Sequence, residues 1–523
     1  MKRTTVFLLA IIMILAMTMV SCQTNEPEAS SEPSSVSETT TEKTEETATP
    51  EEPEEPMDIY YADKARGAAA SDEAVLAYIN EKFNINFHYT QVPGETLNEK
   101  FTTMIAAGEN LDFFLGWYAD PTNPRSIDIA RDQGLIVPLD DLLANYGQNL
   151  LKEVKEEYWD LTKVDGKIWF VPNVQFKSKK FMYVRTDWLA DMGLEKPATL
   201  DEFENMLKEM KSQNPGGQDN FYPLVGENFG YLWTGFLGSF VETAGNFVDT
   251  DGQLKPEFFH PNYKLFLQTL QDWYAAGLIN PDQATIVREQ EREQVETGKA
   301  GVWITWFGGT RLAQINETDP EAMVSYLNFP VGPSGTGGAQ SVGIFSGGGQ
   351  VIMSHCSEEK QIKIMQMLDW FQTEEGQLFQ YYGIEGQDWV DNGDTVSLPE
   401  GVTEKQYNTF YMVSGGNMYA YYKALDSTAA DYLESLDAAL SGEYASIDPP
   451  DYMYPYNWAD TESVNYMTDL NTLRDQMMVD IMTGVQSVDY LDEWLEIWLG
   501  AGGETYIEEL NQQYSAISAQ MGK

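Results

Sequence analysis

MDIYYADKARG, at Met57–Gly67, is the first part of the chain with the pattern of a folded domain, and it predicts a short strand followed by a loop. INFHYT (Ile85–Thr90) and LDFFLGWY (Leu111–Tyr118) predict two further strands. Between them, DEAVLAYINEKF (Asp72–Phe83) carries apolar residues at helical spacing, and GETLNEKFTTMIAAGE predicts a second helix that ends at Gly108. Strands that alternate with helices in this way predict an α/β fold whose sheet is parallel in part.

Polar and aromatic residues follow the first and third of these strands. Ligands of open α/β sheets bind beyond the carboxyl ends of the strands. The sequence therefore predicts a potential site near five residues: Asp63, Lys64, Trp117, Tyr118 and Asp120.

The rest of the folded chain predicts more helices and strands. Thr199 and Glu202 have the spacing of a capping box at the start of an amphipathic helix. Other predicted elements are a helix in Tyr263–Asp282 stopped by Gly277, a strand with an aromatic tip in Gly298–Gly309, glycine-rich backbone that leads into a buried strand in Ser346–His355, one amphipathic helix over Glu358–Gly376, and two C-terminal helical segments around Gly502 and Gly503.

The N-terminal segment has the pattern of an export signal. Lys2 and Arg3 precede an uncharged stretch, Val6–Val20, that is short for a membrane span but suits a secretory signal. Met19–Cys22 resembles a bacterial lipobox, so we expect residues 1–21 to be a signal peptide and Cys22 to be lipidated; an ordinary signal peptide is the alternative. The acidic, Ser- and Thr-rich residues 22–56 predict an extended, disordered tether.

Charge and cysteine content exclude several classes of protein. With 82 acidic and 32 basic residues, a net charge of −50, the chain is a poor partner for nucleic acid. Two cysteines, one of them Cys22, rule out a disulfide framework. His355-Cys356 could be half of a metal site. With only His88 and His260 elsewhere, the sequence favours a buried thiol and predicts no metal.

A family resemblance rests on several strings in a fixed order over nearly the whole folded part. Beyond the lipobox they are GLIVPLDDLL, DGKIWFVP, RTDWLADMGLEKPATLDEF, WYAAGLINPD, GKAGV, LDWFQTEEGQLFQYYGIEGQDW and WLGAGGETYIEELNQQY. On these residues the chain resembles an extracellular solute-binding lipoprotein of a carbohydrate-type ABC importer, among the family 1 solute-binding proteins. It is most similar to their LplA-like, aldouronate- or oligosaccharide-binding branch.

The resemblance implies a two-lobe, type II periplasmic-binding-protein fold, with hinged lobes and a ligand cleft between them. It places the N-terminal lobe at 57–180 and 350–395, the C-terminal lobe at 181–349 and 396–475, and C-terminal helices at 476–523. The crossings are expected near Phe176–Val184 and Val342–Gly349, where Gly347, Gly348 and Gly349 serve either a hinge or a tight turn. No cofactor is expected, because the calcium loop of relatives is degenerate at 212–226, with a single acidic residue.

A sugar-binding cleft needs flat, partly polar rings that stack on the C–H faces of the sugar, and Tyr and Trp supply them. Besides the five strand-end residues, the predicted ligand contacts are Tyr231, Trp233, Trp306, Phe307, Trp389 and Trp458. Arg185 could receive a uronate carboxylate, although pairing with Asp187 or Asp191 is favoured.

The resemblance implies capture of an oligosaccharide and delivery to ABC permease subunits, by a monomer anchored to the outer face of the bacterial cytoplasmic membrane. No catalytic motif is present, and three histidines leave few general bases, so we expect no enzymatic activity. Two alternatives stay open: a peptide-binding or signalling lipoprotein on the same scaffold, and a secreted glycan-degrading enzyme with two carboxylates.

Overall fold

In the computed structural model, Glu54–Lys523 forms one compact unit. The structure describes residues 55–64, 73–92, 97–117, 126–174, 180–306, 310–340, 345–393, 395–401 and 461–520, with shorter pieces between 424 and 458. The expected signal peptide, Cys22 and nearly all of the tether lie outside the described residues. Within the described part, no helix combines the length and apolar character that crossing a membrane requires.

The first sheet has five strands in the order β2-β1-β3-β14-β6. β1 pairs in parallel with β2 and β3, whereas β14 is antiparallel to both β3 and β6. The N-terminal elements of this lobe are β1 (Met57–Lys64), α1 (Glu73–Phe83), β2 (Ile85–Val92), α2 (Leu97–Ala107), β3 (Phe113–Trp117), α3 (Ser126–Asp132), α4 (Asp140–Tyr146), α5 (Gln148–Glu153), α6 (Glu156–Asp160), β4 (Lys163–Val164), β5 (Lys167–Ile168) and β6 (Val171–Val174).

The second sheet has four strands in the order β12-β7-β11-β8. β7 is antiparallel to both neighbours, and β8 is parallel to β11. The elements of this part are β7 (Lys180–Arg185), α7 (Thr186–Met192), α8 (Leu200–Gln213), β8 (Leu224–Gly226), α9 (Phe229–Phe236), β9 (Phe247–Val248), β10 (Leu254–Lys255), α10 (Tyr263–Ala275), α11 (Arg288–Glu296), β11 (Val302–Trp306), α12 (Leu312–Ile315), β12 (Val324–Leu327) and β13 (Ala339–Gln340).

The chain then returns to the first sheet and ends on the second lobe. The remaining elements are β14 (Phe345–Ile352), α13 (Glu358–Trp370), α14 (Glu374–Tyr382), β15 (Val390–Asp391), β16 (Thr395–Ser397), β17 (Ala424–Leu425), β18 (Ser446–Ile447), α15 (Met467–Met482), α16 (Tyr490–Trp498) and α17 (Glu504–Gln520). A π-helical turn with Gly502 at φ +117° separates the last two helices, which confirms the predicted break.

Each sheet is the centre of its own core. In the first lobe, Ile59 and Phe113 contribute to the cluster of one sheet face, and Ala62 and Phe114 to that of the other, so both faces are covered as a parallel sheet requires. The second-lobe core includes Trp494 and Trp498 of α16 together with the strands of the second sheet. The C-terminal helices therefore pack in the core of the second lobe.

Two predicted elements differ in detail from the structure. The single helix expected over Glu358–Gly376 is two helices, because Thr373 begins a new one: its Oγ1 accepts a hydrogen bond from the Gly376 backbone N–H at 3.2 Å. The three glycines expected at a crossing lie inside β14, and Gly349 pairs with Gly116 of β3. A hinge role for these glycines stays a prediction.

Candidate ligand-binding site

The site is built where the two sheets are joined. β6 ends at Val174, β7 begins at Lys180, and only residues 175–179 separate them, so the two edges lie within about 21 Å along the chain. The edge of the first sheet at which β6 ends also holds the carboxyl ends of β1 and β3 and the start of β14. The edge of the second sheet at which β7 begins holds Trp306, which pairs with Lys180.

Four predicted site residues lie at these edges. Asp63 is the penultimate residue of β1 and is buried, and Lys64 is the last residue of that strand. Trp117 ends β3 opposite Gly348, and Trp306 ends β11. The backbone thus brings two tryptophan positions to the edges joined by the crossing. The side chains of Lys64, Trp117 and Trp306 lie outside the described residues, as do Tyr118, Asp120 and Phe307.

Tyr231 and Trp233 lie on α9, and two residues separate this helix from the end of β8. Asn228 caps this helix by accepting a hydrogen bond from the Tyr231 backbone N–H at 3.1 Å. The Tyr231 side chain is buried, and the Lys180 ammonium lies 5.4 Å from its ring centroid. Trp233 is half-buried beneath the Arg474 guanidinium, which lies 5.0 Å from its ring centroid. The Arg474 guanidinium covers one face of the Trp233 ring, so the two faces of this ring differ in their access to a ligand.

Trp389 and Trp458 lie elsewhere. Trp389 packs with Leu378 and Tyr382 and donates from Nε1 to the Gly383 carbonyl oxygen at 3.0 Å. It lines a cavity of about 360 Å³ in the first lobe, beside Tyr78 of α1. Trp458 is 3% exposed and stacks on Tyr506 of α17 with ring centroids 4.8 Å apart. Their roles as ligand contacts stay predictions.

A polar cluster at the second sheet's edge was not predicted. Glu227 follows β8 directly, and its Oε2 accepts a hydrogen bond from Thr305 Oγ1 of β11 at 2.6 Å. Arg311 Nη2 lies 2.6 Å from Glu291 Oε2, and Thr305 Oγ1 lies 3.5 Å from the same Nη2. Glu227 could have been found by the rule that selected Asp63, because both are acidic residues at the carboxyl end of a strand.

Burial changes the acidity of two groups near this cluster. It raises the pKa of Glu291 to about 7, against the opposing charge of Arg311. It lowers the pKa of Lys180 to about 8, and this ammonium donates a hydrogen bond to Thr234 Oγ1. Thr234 Oγ1 in turn donates to the Gly230 carbonyl oxygen at 2.6 Å. The edge therefore presents a hydrogen-bonded network of hydroxyl, carboxyl and ammonium groups.

Arg185 is committed to ion pairs within the fold. Its Nε donates to Asp187 Oδ1 at 2.9 Å, and its Nη2 lies 2.5 Å from Asp319 Oδ2. The guanidinium stacks 4.3 Å from the ring centroid of Trp188. Pairing with Asp187, one of the two predicted partners, is confirmed, and Asp319 is a second partner that was not predicted. The guanidinium is 3% exposed and is engaged within the fold.

Two turns near the second lobe were also assigned from sequence. In the loop 212–226, Asn214 has left-handed backbone geometry and its Nδ2 donates to the Gln218 carbonyl oxygen at 3.0 Å. DTDGQ (Asp249–Gln253) is the turn between β9 and β10, as predicted. There Lys255 Nζ lies 2.7 Å from both Asp249 and Asp251.

Two mixed α/β lobes, joined by chain crossings at the carboxyl edges of their sheets, define a two-lobe solute-binding protein. The family comparison agrees, and the chain belongs to the bacterial extracellular solute-binding protein family, whose model matches residues 62–378. The chain is 24% identical to Lipoprotein LipO of Bacillus subtilis over 487 residues, which covers 89% of this chain and 90% of that protein.

Two further comparisons extend this result. The polygalacturonan/rhamnogalacturonan-binding protein YtcQ of B. subtilis is 22% identical over 451 residues, 84% of this chain and 88% of the relative. The crystal structure of the N-glycan transport solute-binding protein NgtS from Streptococcus pneumoniae superimposes with a TM-score of 0.63 at 18% identity, covering 88% of this chain and 98% of that one. The likeness to the solved structure shows a shared fold.

Proposed function

We propose that this protein captures an oligosaccharide between its two lobes and delivers it to the membrane permease of an ABC importer. The protein is held outside the cytoplasmic membrane by a lipid on Cys22. The main observation in support is the position of Trp117 and Trp306. Each ends a strand at one of the two sheet edges that residues 175–179 connect. Tryptophan rings on both sides of a cleft suit the apolar faces of a sugar ring.

The polar groups of the second edge support a ligand with hydroxyls. Glu227, Thr305 and Lys180 offer acceptors and donors within a few residues of Trp306. A sugar hydroxyl both donates and accepts, so a mixed network of this kind serves it better than a single charge does. Among similar proteins, YtcQ is named for binding polygalacturonan and rhamnogalacturonan, and NgtS for N-glycan transport.

No chemical step is included in the proposal. The family is one of solute-binding proteins, and the relative YtcQ is named as a binding protein. The described edges place carboxylates in ion pairs and hydrogen bonds, with Glu291 held by Arg311 and Glu227 by Thr305. We therefore assign the site to binding and release.

Isothermal titration calorimetry against a panel of oligosaccharides tests the proposal. The panel contains neutral glycans, uronate-containing fragments of pectin, and peptides of similar size. We expect one oligosaccharide class to bind with micromolar or tighter affinity, and Trp117→Ala and Trp306→Ala each to weaken binding by about tenfold or more, since each removes stacking worth about 1–2 kcal/mol.

Trp169→Ala is the matched control. Trp169 precedes β6, at the opposite edge of the same sheet, where its Nε1 donates to the Val164 carbonyl oxygen. We expect this variant to bind the sugar as the unaltered protein does. Binding of peptides only, cleavage of the bound glycan on incubation, or equal loss in all three variants would overturn the proposal.

A further inference from the structure

A group of three metal-ligand side chains lies in the first lobe, away from the edge described above. Asp112 directly precedes β3, and His355 and Cys356 lie between β14 and α13. These positions are at the edge of the first sheet opposite the crossing. One ligand atom from each residue lies within 4.8 Å of the other two.

Two of the three distances match those around a tetrahedral ion. Cys356 Sγ lies 3.4 Å from Asp112 Oδ1, and His355 Nε2 lies 3.6 Å from the same oxygen. Ligands at 2.0–2.3 Å from a tetrahedral zinc ion are about 3.3–3.8 Å apart, so these separations correspond to edges of such a tetrahedron. The third separation, from the thiol to the imidazole, lies within 4.8 Å, and the exposed His355 side chain would move toward the thiol to close it around an ion.

The second oxygen of Asp112 has other partners, which fix the carboxylate. Asp112 Oδ2 accepts hydrogen bonds from the Tyr60 backbone N–H and from Lys360 Nζ, both at 2.9 Å. This arrangement turns Oδ1 toward the thiol and the imidazole. Hydrogen bonds to a ligand's outer atoms orient it in metal sites generally. The Lys360 ammonium also opposes a cation, and it therefore limits the affinity.

The sequence predicts no metal at His355-Cys356, because cysteine and histidine were the only ligands considered and a carboxylate ligand was left out. Asp112 is distant in sequence, and only the pairing of β3 with β14 brings it beside Cys356. His355 is 57% exposed, so the fourth position faces solvent. Thiolate, imidazole and carboxylate together are a donor set that favours zinc over calcium or magnesium.

We propose that Asp112, His355 and Cys356 bind one zinc ion, with water as the fourth ligand. Binding replaces the thiol proton of Cys356, which leaves to the buffer, with a sulfur–zinc bond. The ion ties the start of β3 to the segment after β14 and stabilises the first lobe. It does not touch the proposed sugar site, so failure of either proposal leaves the other intact.

Cobalt(II) titration of the full chain carrying Cys22→Ala tests this site, because Cys356 is then the only thiol. Millimolar calcium is present throughout to occupy surface carboxylates. We expect one equivalent of cobalt to produce a thiolate-to-metal charge-transfer band in the near ultraviolet, and one equivalent of zinc to abolish it. His355→Gln, at an exposed position, should weaken binding at least tenfold, and Cys356→Ser should remove the band.

His88→Gln is the matched control, because His88 Nε2 lies 3.0 Å from Asp58 Oδ1 with no thiol among the described side chains at that pair. It should leave the titration unchanged. Lys360→Met removes the opposing ammonium and should strengthen binding severalfold. A titration without the charge-transfer band, or one in which His355→Gln binds as tightly as the parent, would show that the three residues form no metal site.

Discussion

The guanidinium of Arg185 lies between two carboxylates and an indole ring and is only 3% exposed. From the sequence alone this residue has two possible roles, a uronate contact or an ion pair, and the neighbouring acidic residues favour the ion pair. The second partner, Asp319, is 134 residues further along the chain. It comes next to Arg185 only when β12 pairs with β7. Residue type indicated charge pairing, but tertiary structure determined the partner.

Arg185→Ala should lower the free energy of unfolding by about 3 kcal/mol, because it removes a buried cation and leaves Asp187 without its partner. Asp319→Asn should cost less than about 1 kcal/mol, since Asp319 is 45% exposed and solvent screens its pairing. Urea denaturation followed by circular dichroism measures both. If Arg185→Ala kept full stability and lost sugar binding, the ion-pair role would be wrong.

Glu291 gives the protein a pH-dependent stability. Its pKa is raised to about 7 by burial, above the ordinary 4.5, so the folded protein binds this proton more tightly than the unfolded chain does. Stability from this group is full below about pH 4.5 and is lost as the pH rises to about 7, a loss on the order of 3 kcal/mol.

Glu291→Gln removes that titration, so we expect its unfolding free energy to change less than that of the parent between pH 4.5 and pH 7. Glu289→Gln, at an exposed position on the same helix, is the control and should retain the parent's pH profile. Identical pH profiles for all three proteins would mean that Glu291 is ionised at low pH and that Arg311 outweighs burial.

At the scale of the elements, local sequence patterns predicted most helices and strands, but they did not predict which strands pair with one another. Thr199 and Glu202 form the predicted capping box of α8, and α10 ends before Gly277, whose φ is +66°. The break at Thr373 was missed because apolar spacing continues across it. The insertion of β14 between β3 and β6 has no local signal, since its partners are far away in sequence.

Gly349 illustrates a requirement that only pairing reveals. A Cβ atom there would overlap the Phe170 ring and the Val171 carbonyl oxygen of the neighbouring strand. Gly349→Ala should therefore cost about 1–3 kcal/mol of unfolding free energy. Gly500→Ala, where no atom lies within 4 Å of the added methyl, should be nearly neutral. Equal stability of the two variants by chemical denaturation would contradict the close approach of the strands.

For the whole molecule, the acidic excess is the dominant electrostatic feature. The chain carries 82 acidic and 32 basic residues. Many described basic groups are already paired, as Lys255 is with two aspartates and Lys264 with Asp489 and Asp492. Unpaired carboxylates therefore repel one another across the surface, and this repulsion opposes the compact state.

Raising the ionic strength from about 0.01 M to about 0.15 M shortens the Debye length from about 30 Å to about 8 Å. We expect Tm to rise by about 2 °C or more with sodium chloride over this range, because screening weakens the repulsion. Sucrose at equal osmolarity is the control for solvent effects that do not depend on charge. A Tm that falls with salt would mean that the ion pairs outweigh the acidic excess.

The insertion of one lobe within the other bears on how the protein matures. The amino end is synthesised first, and β3 has no neighbour on its β14 side until all strands of the second sheet have been made. An unpaired strand edge invites association with other chains. Pairing over so long a separation is also slow. A truncated chain lacking β14 would therefore leave this edge of β3 unpaired, and we expect it to be more vulnerable to proteolysis and aggregation than the full chain.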